Sequence, residues 1–133
     1  MYTKYSLGFL LASLIQAAIV LVSEFLGIST LGAKLTLMQL IIHIFSGQVA
    51  GFVLLYVMRK VEIIGEAQTW ITGTTFGILV WFVVLTINSM QGKVNAPWTQ
   101  GLSTILVSII AFITYGLITT FTIKKYGYAL GKT

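Results

Sequence analysis

The segment QLIIHIFSGQVAG, at positions 39–51, contains the only histidine of the chain, His43, set between Gln39 and Gln48 in an apolar run. A histidine so placed could ligate a metal, carry a proton, or hydrogen-bond to a neighbouring helix. Spacing narrows the choice. Gln39, His43, Gly47 and Gly51 advance by four, which puts them on one face of a helix. Leu40, Ile41, Ile44, Phe52 and Leu55 fall on the opposite side, which suits lipid, so the histidine is expected on a protein-facing side.

A zinc or haem site needs several ligands, and one histidine with no cysteine and no aspartate in the chain cannot supply them. Glu24 is the only carboxylate inside the apolar segments, so no pair of acids is ready for acid–base work or for two metals. Ser46 lies near His43, but no acid or oxyanion environment accompanies it. Phosphate-binding glycine loops and dinucleotide fingerprints are also missing. No cofactor or metal is expected, and an intramembrane enzyme is the least favoured reading.

The remaining chemistry is that of a polar cavity or narrow path. Gln16, Gln39, His43, Gln48, Ser108, Thr114 and Tyr115 could line it around the middle of a helix bundle, with Glu24 at the outer mouth. The same groups could instead bond across helices and line nothing. Such bonds are worth ~0.6 kcal/mol on average, and serine and threonine can also bond to their own helix's carbonyls. In the second case His43 gives a ring hydrogen to a carbonyl or glutamine oxygen of a neighbouring helix.

These residues need elements to hold them, and the composition says which. The chain has 133 residues, 57% hydrophobic and 8% charged, against roughly 25% charged in a soluble domain; its mean hydropathy is +0.97. Four apolar segments, about 6–26, 36–58, 69–88 and 99–123, contain no lysine, arginine or proline. Each reaches the roughly 20 residues that cross a bilayer as a helix. A soluble bundle would need a wider polar face on each helix, and a transmembrane barrel would need alternating segments of about 10 residues. The first segment exceeds a signal peptide's apolar core and lacks a small-x-small cleavage motif after Leu26, so it is expected as a mature helix. The expected fold is all-α: a single domain, a four-helix transmembrane bundle.

Charge sets its orientation. Lys4, Arg59, Lys60, Lys124, Lys125 and Lys132 fall on one side of four crossings, and only Lys34 and Lys93 on the other. That bias predicts a cytoplasmic N-terminus and a cytoplasmic C-terminus. The same cations suit the anionic headgroups of a lipid bilayer, so the net charge of +5 calls for no nucleic acid. Tyr2, Tyr5, Trp70, Trp98, Tyr126 and Tyr128 sit at the segment ends, as interfacial aromatics do. Asn95-Ala-Pro-Trp98 reads as a helix entry.

Small residues suggest how the helices pack. Gly47 with Gly51, and Gly73 with Gly77, form two Gly-x-x-x-Gly steps, which allow backbones to approach closely. Because they lie in neighbouring segments joined by a short connection, close packing of the second helix on the third is expected. A glycine face left over would serve a homo-oligomer or a partner membrane protein. Thr104, Ser108, Ala111, Tyr115 and Thr119 mark one side of the fourth helix, and Gly8, Ala12 and Gln16 one side of the first.

The stretches GTTFGILVWFVVLTIN (73–88) and YGLITTFTIKKY (115–126) resemble the YqhR-like family of small four-span membrane proteins in Bacillus-type spore formers. The resemblance implies a bacterial cytoplasmic (inner) membrane and carries no catalytic residues. Two other four-helix families fail on their residues. Small multidrug transporters place an essential glutamate mid-way along the first helix, where this chain has Leu14, Ile15 and Gln16. Fluoride channels need an asparagine in the second helix and a threonine-phenylalanine-serine break in the third, whereas Thr75-Phe76 precedes Gly77 here. Passage of a small solute or ion is the leading expectation. A structural or regulatory subunit of a membrane complex follows closely.

Overall fold

In lipid the backbone has no water to bond, so a spanning segment must satisfy its own N–H and C=O groups, and a helix does so. The computed structural model describes residues 2–28, 36–61, 68–92 and 94–125. They form α1 (Tyr2–Phe25), α2 (Leu37–Lys60), α3 (Thr69–Met90), a 3-10 turn (Pro97–Thr99) and α4 (Leu102–Lys125). All four α-helices are long and apolar enough to span a membrane. The protein is a small multi-pass integral membrane protein with an all-α fold.

The helix ends follow local chemistry. Gly27, at φ +77°, closes α1 with bonds from Gly27 N–H to the Glu24 carbonyl and from Ile28 N–H to the Ser23 carbonyl. That pair is a Schellman arrangement, which needs the left-handed conformation glycine adopts without strain. Thr36 caps α2 by accepting from the Gln39 backbone N–H. Arg59 and Lys60 occupy the last turn of α2, where cations complement the helix dipole. At the Asn95-Ala-Pro-Trp98 entry Pro97 opens the 3-10 turn, so α4 begins at Leu102 rather than at position 99.

The helices are arranged around α4. It packs along both α3 and α1, while α2 leans on α1 and meets α4 only briefly. Accordingly α4 buries Thr104, Ser108, Ala111, Phe112, Tyr115, Gly116, Thr119, Thr120, Thr122 and Ile123. One apolar cluster joins Tyr5, Phe9, Leu54, Leu55, Met58 and Ile123; a second joins Val20, Leu85, Ala111 and Phe112. Buried α2 residues begin only at Gly47, and Leu37, Met38, Ile41 and Phe45 before it are exposed.

Close packing of α2 on α3 is not what the structure shows. Each glycine step serves a different partner. On α2, Gly47 faces Ser13 and Gly51 faces the Phe9 ring, both on α1. On α3, Gly73 faces Leu117 and Gly77 faces the Phe112 and Ile113 backbone, both on α4. A side chain at Gly116 of α4 would strike the Gly73 carbonyl, so three glycines let these two backbones meet. Two further expectations change. Leu55 is buried at 3% exposure rather than turned to lipid, and Tyr5 is buried beside Phe9 rather than standing at the interface. Both fill the space where α1, α2 and α4 converge. The connections holding Glu62, Glu66, Lys34 and Lys93, and the end holding Tyr126, Tyr128 and Lys132, lie outside the described residues, as does the side chain of Tyr2.

Candidate functional site

The polar residues singled out in the sequence are distributed over several helix seams. In the α1–α2 seam, Gln48 Nε2 donates to the Ser6 carbonyl at 2.8 Å, and Ser6 Oγ donates to Gln48 Oε1 at 2.9 Å. One glutamine side chain thus makes a two-bond clasp. Two turns further along α1, His43 Nε2 lies 2.8 Å from the Ser13 carbonyl. Because a carbonyl only accepts, that nitrogen carries the proton.

Ser13, His43, Gly47 and Tyr115 form a three-helix junction. The Tyr115 hydroxyl, on α4, donates to the Gly47 carbonyl at 2.6 Å. Ser13 Oγ also rests against Gly47, where no side chain stands in its way. Phe76 of α3 stacks on the Tyr115 ring with centroids 6.1 Å apart. The spacing in the sequence put His43 and Gly47 on one protein-facing side of α2 but assigned that side to α3, so Ser6 and Ser13 of α1 were missed as partners. Their relevant acceptors are backbone carbonyls, which no residue type announces.

The other candidates lie elsewhere. Ser108 accepts from the Trp81 indole at 2.8 Å in the α3–α4 seam and donates to its own helix at the Ile105 carbonyl. Thr114 donates to the Ile110 carbonyl one turn back. Gln39 is half-buried in the first turn of α2. Gln16 is buried on α1, and Glu24 is half-buried near that helix's far end. Four buried hydroxyls, those of Ser13, Thr86, Thr119 and Thr120, have no hydrogen-bond partner among the described residues.

Between α2 and α3 the structure opens a cleft of about 620 Å³. Its walls are Ala50, Val53, Leu54 and Val57 on α2 and, on α3, residues from Ile71 to Val84; among the described residues, Thr72 and Thr75 are the only polar residue types in them. It opens where close helix packing was expected, because each helix spends its glycines on another neighbour. The cleft can take hydrocarbon. It offers nothing to a hydrated ion.

No protein family, curated protein or solved structure matches this chain.

Proposed function

We infer that this chain is a structural or regulatory subunit of a membrane complex, with both termini cytoplasmic in a bacterial inner membrane, rather than a conduit. One observation carries the reading. His43, Gln48 and Tyr115, the polar groups best placed to line a path, each bond a residue of a neighbouring helix. Groups held in this way fix helix positions, whereas a conduit presents its donors and acceptors to the solute. The six-to-two distribution of cations supports the orientation. The glycine steps are spent within the chain, so a partner or a second copy would use the apolar exposed faces instead.

The test is flux. Purified chain in sealed vesicles should leave proton, potassium and small neutral-solute permeability at the level of empty vesicles. In native membranes it should migrate in an assembly larger than a single chain. A saturable flux, or a pH-dependent flux abolished by His43→Gln in a folded protein, would overturn the reading.

Passage of a small solute or ion is the second reading, and one observation favours it. Ser13, Thr119 and Thr120 carry buried hydroxyls with no hydrogen-bond partner among the described residues, which could serve a passing polar molecule. Flux lost in Ser13→Ala and Thr119→Val, with the fold retained, would select it.

A further inference from the structure

We propose that the α2–α3 cleft is a binding site for one acyl chain of an anionic phospholipid, whose headgroup phosphate lies against the basic end of α2. The walls decide the chemistry of the tail. Among the described residues they are apolar but for Thr72 and Thr75, so an occupant gains by presenting hydrocarbon and loses by presenting a polar group.

Depth decides between a lipid and a spanning helix. The cleft starts at the hairpin end of both helices, with Val57 one turn before Lys60 and Ile71 just inside the start of α3. It ends at Ala50 on α2 and Val84 on α3, which lie about 15 Å and about 22 Å from those helix ends at ~1.5 Å per residue. A hydrocarbon core of ~30 Å makes one leaflet about 15 Å deep, so the cleft is one leaflet deep along α2 and, along α3, runs beyond the midplane but stops short of the far face. The first half of α2, from Leu37 to Val49, forms no part of its wall. A transmembrane partner would need a groove through both leaflets, whereas an acyl chain enters from one face and stops.

Charge selects the headgroup. Lys60 is exposed one turn beyond Val57, and its ammonium lies 5.8 Å from the centre of the Tyr56 ring. Arg59 precedes it, and the antiparallel order of the helices brings Lys4, Lys124 and Lys125 to the same end. The sequence places Glu62 and Glu66 in the connection there, outside the described residues, and the six cations of that side outnumber them. A phosphate that bears a net charge is therefore favoured over a zwitterionic headgroup. This inference is independent of whether the chain serves a complex or passes a solute.

The experiment uses the full chain in nanodiscs of phosphatidylglycerol and phosphatidylcholine, with a trace of either lipid carrying a photoactivatable acyl chain. Labelling by the phosphatidylglycerol probe should concentrate on 50–57 and 71–84, at least fivefold above the exposed positions Phe45 and Ile110. Ala50→Phe should remove that excess. Should Ala50→Phe fail to fold, Val83→Trp fills the cleft from an exposed position and should do the same. Lys60→Gln should bring the two probes to equal labelling of the cleft. Even labelling over all exposed positions, unchanged by the filling variants, would mean annular lipid only. Equal labelling by both probes in the unaltered chain would overturn the headgroup assignment. A disulfide between copies through Val53→Cys would overturn the lipid, because a second copy would then occupy the cleft.

Discussion

Tyr115 and Gly47, 68 positions apart, are joined by a 2.6 Å hydrogen bond from phenol to backbone carbonyl. It is a direct polar tie between α2 and α4, and it exists because Gly47 lets α2 sink toward Ser13 and the Tyr115 ring. Tyr115→Phe removes the hydroxyl alone. The ring keeps its stack with Phe76, and the Gly47 carbonyl keeps its intrahelical bond. The expected cost is about 1 kcal/mol, within the range for interhelical bonds in membranes, read as a lower denaturant midpoint with unchanged helix content.

The glycines should differ in tolerance according to what a methyl group would meet. At Gly77 it would meet the Phe112 carbonyl oxygen at 2.5 Å and the Ile113 Cα at 2.7 Å, both backbone atoms that cannot turn aside. At Gly47 it would meet the hydroxyl of Ser13, which can rotate. Overpacking costs roughly 1–3 kcal/mol. Gly77→Ala and Gly116→Ala should fall at the upper end and Gly47→Ala at the lower, as measured by unfolding in mixed micelles. The reverse order would contradict the α3–α4 contact.

The clasp between Ser6 and Gln48 can be taken apart one bond at a time. Ser6→Ala removes the hydroxyl bond and leaves the Ser6 carbonyl to accept from Gln48. Gln48→Leu removes both bonds. A double-mutant cycle on the two should give a coupling of roughly 0.6 kcal/mol, the average for one interhelical bond. The Gln48→Leu variant alone should lose about twice that. A coupling near zero would show that the hydroxyl bond contributes nothing.

Orientation is tested most simply with thiols, because the chain has no cysteine. Single cysteines at Ser29 and Lys93 should react with an impermeant reagent applied from outside intact cells. One at Lys125 should react only after lysis. The opposite pattern would reverse the topology.

Much of α4 was legible in the sequence. Thr104, Ser108, Ala111, Tyr115 and Thr119 recur at three and four, and all five are buried. Small and polar residues mark the interior there because a membrane helix turns its large apolar side chains to lipid. The pairing of helices was not legible. A Gly-x-x-x-Gly step says that a backbone can approach closely and does not say whose, so Gly73 and Gly77 read equally well toward α2 or α4. Leu55 was misplaced for a related reason: lipid tails are as apolar as leucine, so hydrophobicity does not separate core from surface in this solvent. Among the candidate polar residues, His43 and Gln48 are now tied to α1 and Tyr115 to α2. Their partners are the carbonyls of Ser13, Ser6 and Gly47, which every residue possesses and which periodicity cannot single out.

The central place of α4 bears on how the chain assembles after synthesis. Helices enter the bilayer in chain order, and α4 follows the other three. Until it arrives, α3 has no partner for Gly73 and Gly77, and α2 does not supply one. Docking of α3 through these glycines would therefore have to follow the insertion of α4. A three-helix nascent chain would hold α1 against α2 while the glycine face of α3 stood open to lipid, and that face is what a membrane chaperone or protease would meet first.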